Sequence, residues 1–371
     1  MKTKLKIFAP LALFCLVLLV DKIALIPAIR DAGRRESTPM ENIALNLGRL
    51  LEQEKTARDA SPTTYRPPVI FFGSSRSEMF QALHPDEIRR APGLDPAARD
   101  RLLTSRYETR GIVRAADAWL EYVMADTLLA SGLAPEVLYV EVSPEMFNEN
   151  NPHGVQNRIG VNVYNARLMW DLFWNSAGDA RTAAGLRVMF LSYNYSLRPE
   201  AAVQNLMRGK TYLDNSSVSL MLLAGQASVM PLPPGYVDYP VDQIPPDEYQ
   251  KRFVDYTTHL VTNDILRQYR FSETQARVFD YLVDRLQAAA ADGQFKVVFW
   301  SPPVHPLLYA ARERLLDQAG QARIVAKIKS AGFTYIDVRA ADLDCKLWTD
   351  ASHLSDRCAP AALQYLIEAG H

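Results

Sequence analysis

Four short, nearly unbroken apolar runs mark the sequence: residues 69–72, 137–142, 295–300 and 333–338. Each is rich in β-branched or aromatic residues and lacks the in–out alternation of a half-exposed strand. That pattern predicts strands buried on both faces of a parallel sheet. Between them the spacing of apolar residues shifts to three and four, which predicts helices. One covers residues 112–131 and stops at Gly132, with Pro135 beyond. A second opens at a Ser272-x-x-Gln275 capping box and runs to 291. A third covers 307–330 up to Gly332, and a fourth, 359–369, ends the α/β pattern. Strands alternating with helices predict a doubly wound α/β domain over residues 67–371. Residues 150–271 break the alternation. They are rich in Asn, Tyr and Pro and read as a helical and loop insertion over the strand ends, where insertions shape substrate clefts.

The N-terminus follows another pattern. Lys2, Lys4 and Lys6 precede an apolar run over residues 7–20, interrupted by Pro10; Asp21 and Lys22 follow, then a second apolar stretch, 23–29. The first run alone suits the apolar stretch of a cleaved signal peptide, although no A-x-A-like site follows it convincingly. Residues 7–29 together suit a single-pass anchor, for which about 20 residues are needed, and the anchor is the expectation for residues 1–29. The positive-inside rule is close to neutral, because Lys22, Arg30, Arg34 and Arg35 stand on the far flank. Residues 30–66 read as a polar, mostly helical connector.

Composition narrows the function classes. Of 371 residues, 48% are apolar and 22% charged, as in a folded globular protein, and the net charge of −1 gives no reason to expect nucleic acid as partner. The histidines are scattered and only two cysteines lie outside the N-terminal run, so no metal site is expected. There is no phosphate-binding glycine-rich loop, and no cofactor is expected. Cys345 and Cys358 bracket residues 346–357 and read as a disulfide, which needs an oxidising, extracytoplasmic compartment; two separate buried cysteines are the alternative.

Candidate chemistry falls at two strand ends. In open α/β sheets ligands bind beyond the carboxyl ends of the strands, and Gly73-Ser74-Ser75-Arg76 sits there after the first run. A serine in such a tight turn exposes its Oγ beside backbone N–H groups that can stabilise an oxyanion; the plainer alternative is that Ser74 or Ser75 caps a helix. After the last predicted strand comes Asp350-Ala-Ser-His353. Three-residue spacing lets the carboxylate orient the imidazole, and His353 is then placed to take a proton from Ser75. His305, in a loop after the third run, is a further candidate to line the site, as is His153.

With these two blocks the sequence resembles the SGNH (GDSL-like) hydrolases, over roughly residue 69 to the C-terminus apart from the insertion. The closer resemblance is to membrane-anchored members with a Gly-Ser-Ser turn, such as the D-alanyl-lipoteichoic acid transfer protein and a related domain of unknown function common in spirochaetes; these share a strand ending in Ser-Pro, here Ser143-Pro144. The alginate O-acetylation proteins are more distant. The resemblance implies a three-layer, flavodoxin-like parallel sheet, with Ser75 as nucleophile, His353 as base and Asp350 as its orienting acid. It implies an envelope enzyme, at the bacterial inner membrane and facing the periplasm, that adds or removes an acyl group, most simply acetyl, on a glycan or related polymer. A multi-spanning membrane O-acyltransferase is the implied partner. Two other classes stay open: a carbohydrate esterase working alone, and a non-catalytic glycan-binding or scaffold protein. The sequence also departs from the family. Gly111 is a poor match to the second-block glycine, and Ser143-Pro144-Glu145 replaces the third-block Gly-x-Asn-Asp. An oxyanion would then depend on the backbone of Ser75, Gly73 and Gly111, with Arg76 or Asn148 nearby.

Overall fold

The computed structural model describes residues 2–22, 42–80, 83, 85–105, 109–113, 118–152, 166–175, 178–190, 203, 207, 239–240, 244–291 and 295–370. Residues 23–29, Arg30, Arg34, Arg35 and His153 of the sequence reading, and much of the insertion, lie outside them. In chain order come helices α1 (Lys2–Asp21) and α2 (Asn42–Ala60), strand β1 (Val69–Gly73) and a 3-10 turn (Ser75–Phe80). Helices α3 (Pro85–Arg90) and α4 (Pro96–Ser105), strand β2 (Thr109–Val113), helix α5 (Ala118–Ser131) and strand β3 (Val137–Glu141) follow, with a second 3-10 turn at Pro144–Phe147. The insertion contributes α6 (Ala166–Asn175), α7 (Gly178–Met189), the two-residue strand β4 (Tyr239–Pro240), α8 (Pro246–Tyr249), a π-helical turn (Gln250–Asp255) and α9 (Tyr256–Thr262). The chain ends with α10 (Glu273–Ala290), β5 (Lys296–Ser301), α11 (Pro306–Leu315), α12 (Gln318–Ser330), β6 (Thr334–Asp337), β7 (Leu347–Trp348) and α13 (Ala359–Gly370).

Five strands form one parallel sheet in the order β2-β1-β3-β5-β6. The side-chain period of two divides its faces. Phe71, Val298 and Trp300 share a core with Leu363 and Leu366 of α13, while Phe299 points the other way and packs on Phe279 of α10. Helices therefore cover both faces, as the continuous apolarity of the strands requires. The sheet reverses its winding between β1 and β3, and the ends of these two strands open the crevice where doubly wound folds bind ligands.

The structure corrects the expected elements at β2 and at 307–330 and bears out the helix cap at Ser272 and the stop at Gly132. Strand β2 was hidden by Arg110 and Gly111, and it takes Ile112 and Val113 out of the expected 112–131 helix, which starts at Ala118. The 307–330 helix is two helices, because Asp317 caps a new one by accepting from the N–H groups of Ala319 and Gly320. Ser272 accepts from the N–H of Gln275 and so caps α10. Gly132, at φ 70°, takes the left-handed conformation that ends α5.

The chain divides into two compact units: residues 1–46 with 158–226, and residues 47–157 with 227–371. The second holds the sheet and every residue of the site described below. In the first, α6 packs on α7, and Lys22 Nζ at the end of α1 donates to the carbonyl of Met189 at 2.6 Å. Among the described residues no helix is long and apolar enough to cross a membrane. The apolar stretch of α1 ends at Asp21, and with Lys2, Lys4 and Lys6 inside the helix it falls short of the about 20 residues that a span takes.

Candidate active site

The Gly73-Ser74-Ser75 turn owes its shape to what packs beneath it. Phe80 in the 3-10 turn stacks on Phe71 of β1, 4.1 Å between ring centres, with Trp300 edge-on to both. That anchors the turn to the sheet immediately after the strand. A side chain at Gly73 would run into Ser77 Oγ and the Glu141 carboxylate, so glycine leaves the room this carboxylate fills. The two serines divide the work. Ser74 accepts from the Arg76 N–H (3.2 Å) and donates its hydroxyl to Glu141 (2.6 Å), so it is the capping residue. Ser75 is exposed, and its Oγ lies 2.8 Å from His353 Nε2.

Asp350 and His353 sit at the tip of a small hairpin. Trp348 bridges Leu354, Thr349 N–H donates to the His353 carbonyl and Ser355 N–H to that of Leu347. The Cys345–Cys358 disulfide closes the base of the hairpin, with the Cα atoms 5.4 Å apart. At the tip, Asp350 Oδ1 accepts from the backbone N–H groups of Ser352 (2.7 Å) and His353 (3.0 Å). His353 Nδ1 lies 2.9 and 3.0 Å from the two Asp350 oxygens. With Nδ1–H donating a hydrogen bond to the carboxylate, the Nε2 lone pair faces Ser75 Oγ, as a general base requires. The tip is held from two further sides: Ala351 N–H donates to the Arg252 carbonyl of the π-helical turn, and the Ala351 carbonyl accepts from His305 N–H.

Four buried charged residues lie under the turn: Arg76, Glu141, Glu145 and Arg312. Glu141 receives hydrogen bonds from Ser74 N–H (2.8 Å), Ser74 Oγ, Ser77 Oγ (2.6 Å) and Ser143 Oγ. Arg76 donates to Ser352 Oγ (3.1 Å), Ser143 Oγ (3.1 Å) and Glu145 (3.3 Å). Arg312, from α11, donates to Glu145 at 2.6 Å. Burial works to raise the Glu145 pKa, but the charges of Arg312 and Arg76 outweigh it and hold the carboxyl below its ordinary range. Glu141 and Arg312 had no part in the sequence reading, and Ser143 and Glu145 entered it only as the segment standing in place of the third block. A further signal was Glu141, a charge at the end of an otherwise apolar strand.

Ser75, His353 and Asp350 are thus brought together; four other candidates are not free to join them. Gly111 pairs with Phe71, two residues back from the strand end where Gly73 pairs with Val113, about 7 Å along the strand. Asn148 spends its amide on the carbonyls of Ile265 and Arg267, and its oxygen on the N–H groups of Asn150 and Arg270. The Arg76 guanidinium is buried, and each of its three nitrogens donates to Ser352, Ser143 or Glu145. His305 is buried against Phe253 and Trp348, with Nδ1 accepting from Leu307 N–H to cap α11. Burial pushes its pKa down to about 4. No group of residues able to hold a metal occurs among those described.

The sequence matches the family of proteins of unknown function DUF1574 over residues 1–369. The chain belongs to the DUF1574 family. No curated protein matches it. In this DUF1574 protein the strand-end turn, the closed hairpin and the buried charges all come from the sheet-bearing unit.

Proposed function

We propose that this DUF1574 protein is a serine acyl-transfer enzyme of SGNH type, with the flavodoxin-like topology of that superfamily. The hydrogen-bonded chain Ser75–His353–Asp350 carries the proposal. Ser75 Oγ attacks the carbonyl carbon of an ester while His353 Nε2 takes its proton, and Asp350 stabilises the imidazolium. The tetrahedral intermediate collapses with the proton passing to the departing alcohol, leaving the acyl group on Ser75. An acceptor hydroxyl, or water, then attacks under the same base and frees the serine.

The substrate class follows from the resemblance and from the N-terminus. Apolar side chains along α1 stand exposed, Leu19 at 71%, which suits a segment held at a membrane. The reading is therefore an inner-membrane-associated enzyme, its domain on the periplasmic side, moving acetyl or a similar acyl group on an envelope polysaccharide, with a multi-spanning membrane acyltransferase as supplier. Incubation with p-nitrophenyl acetate and oligosaccharide acceptors tests it, with nitrophenol release and acceptor mass as readouts. Nitrophenol release with Ser75 acetylated, and a drop of about 10⁴-fold in Asp350→Asn through the wrong imidazole tautomer, is the expected outcome. Release that persists in Ser75→Ala would contradict it. Acetylated acceptor marks a transferase, and free acetate alone an esterase.

A further inference from the structure

Ser75 and His353 lie 278 residues apart in sequence, and their contact is a single hydrogen bond at the exposed rim. Catalytic groups have to be held to about 0.5 Å by packing and by hydrogen bonds behind them. One rim bond between two turns does not supply that. Directly behind it, the chain neighbours of the two residues are bonded to each other: Arg76 Nε donates to Ser352 Oγ at 3.1 Å, and both side chains are buried. Glu141 grips the other side of the nucleophile. It accepts from Ser74 and Ser77, the residues on either side of the Ser75–Arg76 pair. Ser143, at the end of β3, is shared: it donates to Glu141 and accepts from Arg76.

The energetics favour a task for this cluster. Arg76, Arg312, Glu141 and Glu145 sum to zero charge, and burying them is costly. Apolar residues of the same volume often stabilise a protein as well as or better than a buried ion cluster. Its bonds run to Ser74, Ser77 and Ser352, which flank the two reacting side chains.

We propose that Arg76 and Glu141 are positioning residues that lock the nucleophile turn to the acid–base hairpin, so that Ser75 Oγ and His353 Nε2 meet in reactive alignment. The inference rests on the acyl-transfer reading. It gives Arg76 a role away from the oxyanion, through Ser352 rather than through the substrate.

The test uses the full-length protein and an alkyl fluorophosphonate. Ser75 Oγ forms a bond to phosphorus, fluoride leaves, and the serine proton goes to His353. The rate constant of inactivation and the inhibitor constant are measured across pH for wild type, Ser352→Ala, Ser352→Thr and Glu141→Gln. Ser352→Ala removes the link without leaving a buried charge unpaired, so it keeps the test open should Arg76 variants fail to fold. Ser352→Ala is expected to slow inactivation by about 10- to 10²-fold, the scale of a small misalignment, with the inhibitor constant unchanged and a lower melting temperature from the Arg76 Nε–H left without its acceptor, the assay being run well below that temperature. Ser352→Thr, which keeps the hydroxyl, restores the rate, and Glu141→Gln slows it. Wild-type rate and pH profile in Ser352→Ala would overturn the inference while wild-type labelling keeps the acyl-transfer reading standing. A slowed rate that comes with a weaker inhibitor constant and is not rescued by threonine would also overturn it. No labelling of wild-type Ser75 at any pH would instead remove the reading on which the inference rests.

Discussion

The two units of the chain treat polarity in opposite ways. In the sheet-bearing unit (residues 47–157 and 227–371) charge goes inside: Glu141 is 1% exposed and Glu145 3%. Its large apolar side chains are almost all covered. Among the described residues, the other unit (1–46 and 158–226) holds every exposed large apolar side chain except Leu315, including Leu13, Leu16, Trp170, Trp174 and Met207. Trp170 and Trp174 stand one helical turn apart on α6, with rings 5.6 Å apart, and are more than half exposed. One unit thus satisfies its own surfaces and keeps buried charge for alignment. The other leaves large apolar side chains exposed, which on the function proposed above a membrane would cover.

Breaking the buried cluster should give the largest effect on stability. Glu145→Ala leaves Arg312 and Arg76 without their shared carboxylate and is expected to cost about 3–5 kcal/mol. A urea midpoint within error of wild type would show that the charges are not held as a closed set.

A smaller effect concerns His305. Its pKa is about 4 in the folded state, against about 6.5 when unfolded. Above pH 6.5 both states leave it neutral. As pH falls from 6.5 towards 4 only the unfolded imidazole binds a proton, so stability drops by about 1.4 kcal/mol for each unit. Wild type should therefore lose about 2 kcal/mol more than His305→Asn between pH 7 and pH 5. Asparagine keeps a cap for α11 and removes the titration. Equal losses in urea unfolding at the two pH values would contradict the buried neutral histidine.

The smallest effect belongs to the other unit. Trp174→Ser should weaken partitioning onto phospholipid vesicles by about 10-fold, from the apolar area withdrawn. Melting and labelling of the sheet-bearing unit should stay as in wild type. Unchanged partitioning would remove lipid as the cover for this surface.

How much of this was legible depended on whether the signal was local. Strands β1, β3 and β5 are central, and their unbroken apolarity gave them away; β6 is an edge strand with one buried residue, yet the run 333–338 still read as a strand. Strand β2 lies at the sheet edge, where Arg110 and Gly111 are tolerated, and so it read as something else. Asp350 and His353 form one short motif in a hairpin, and Ser75 follows a strand, so order and strand-end placement were enough to pair them. The charge cluster draws on three separate stretches of chain, at Arg76, at Glu141 and Glu145, and at Arg312, which meet only when the sheet brings β1 and β3 side by side. Register sets Gly111 two residues back from the turn, and no sequence pattern tells which residue of an edge strand lies level with it. Asn148 entered the sequence reading only as a residue near the turn. Its partners, Ile265 and Arg267, lie more than a hundred residues away.

The most direct test of an activated serine is fluorophosphonate labelling of the full-length protein, read by intact mass and peptide mapping beside Ser75→Ala and His353→Ala. One adduct on Ser75, absent in Ser75→Ala and strongly slowed in His353→Ala, is expected. A folded wild-type protein that takes no adduct, or takes it equally with His353 removed, would contradict an acyl-transfer site built on Ser75, His353 and Asp350.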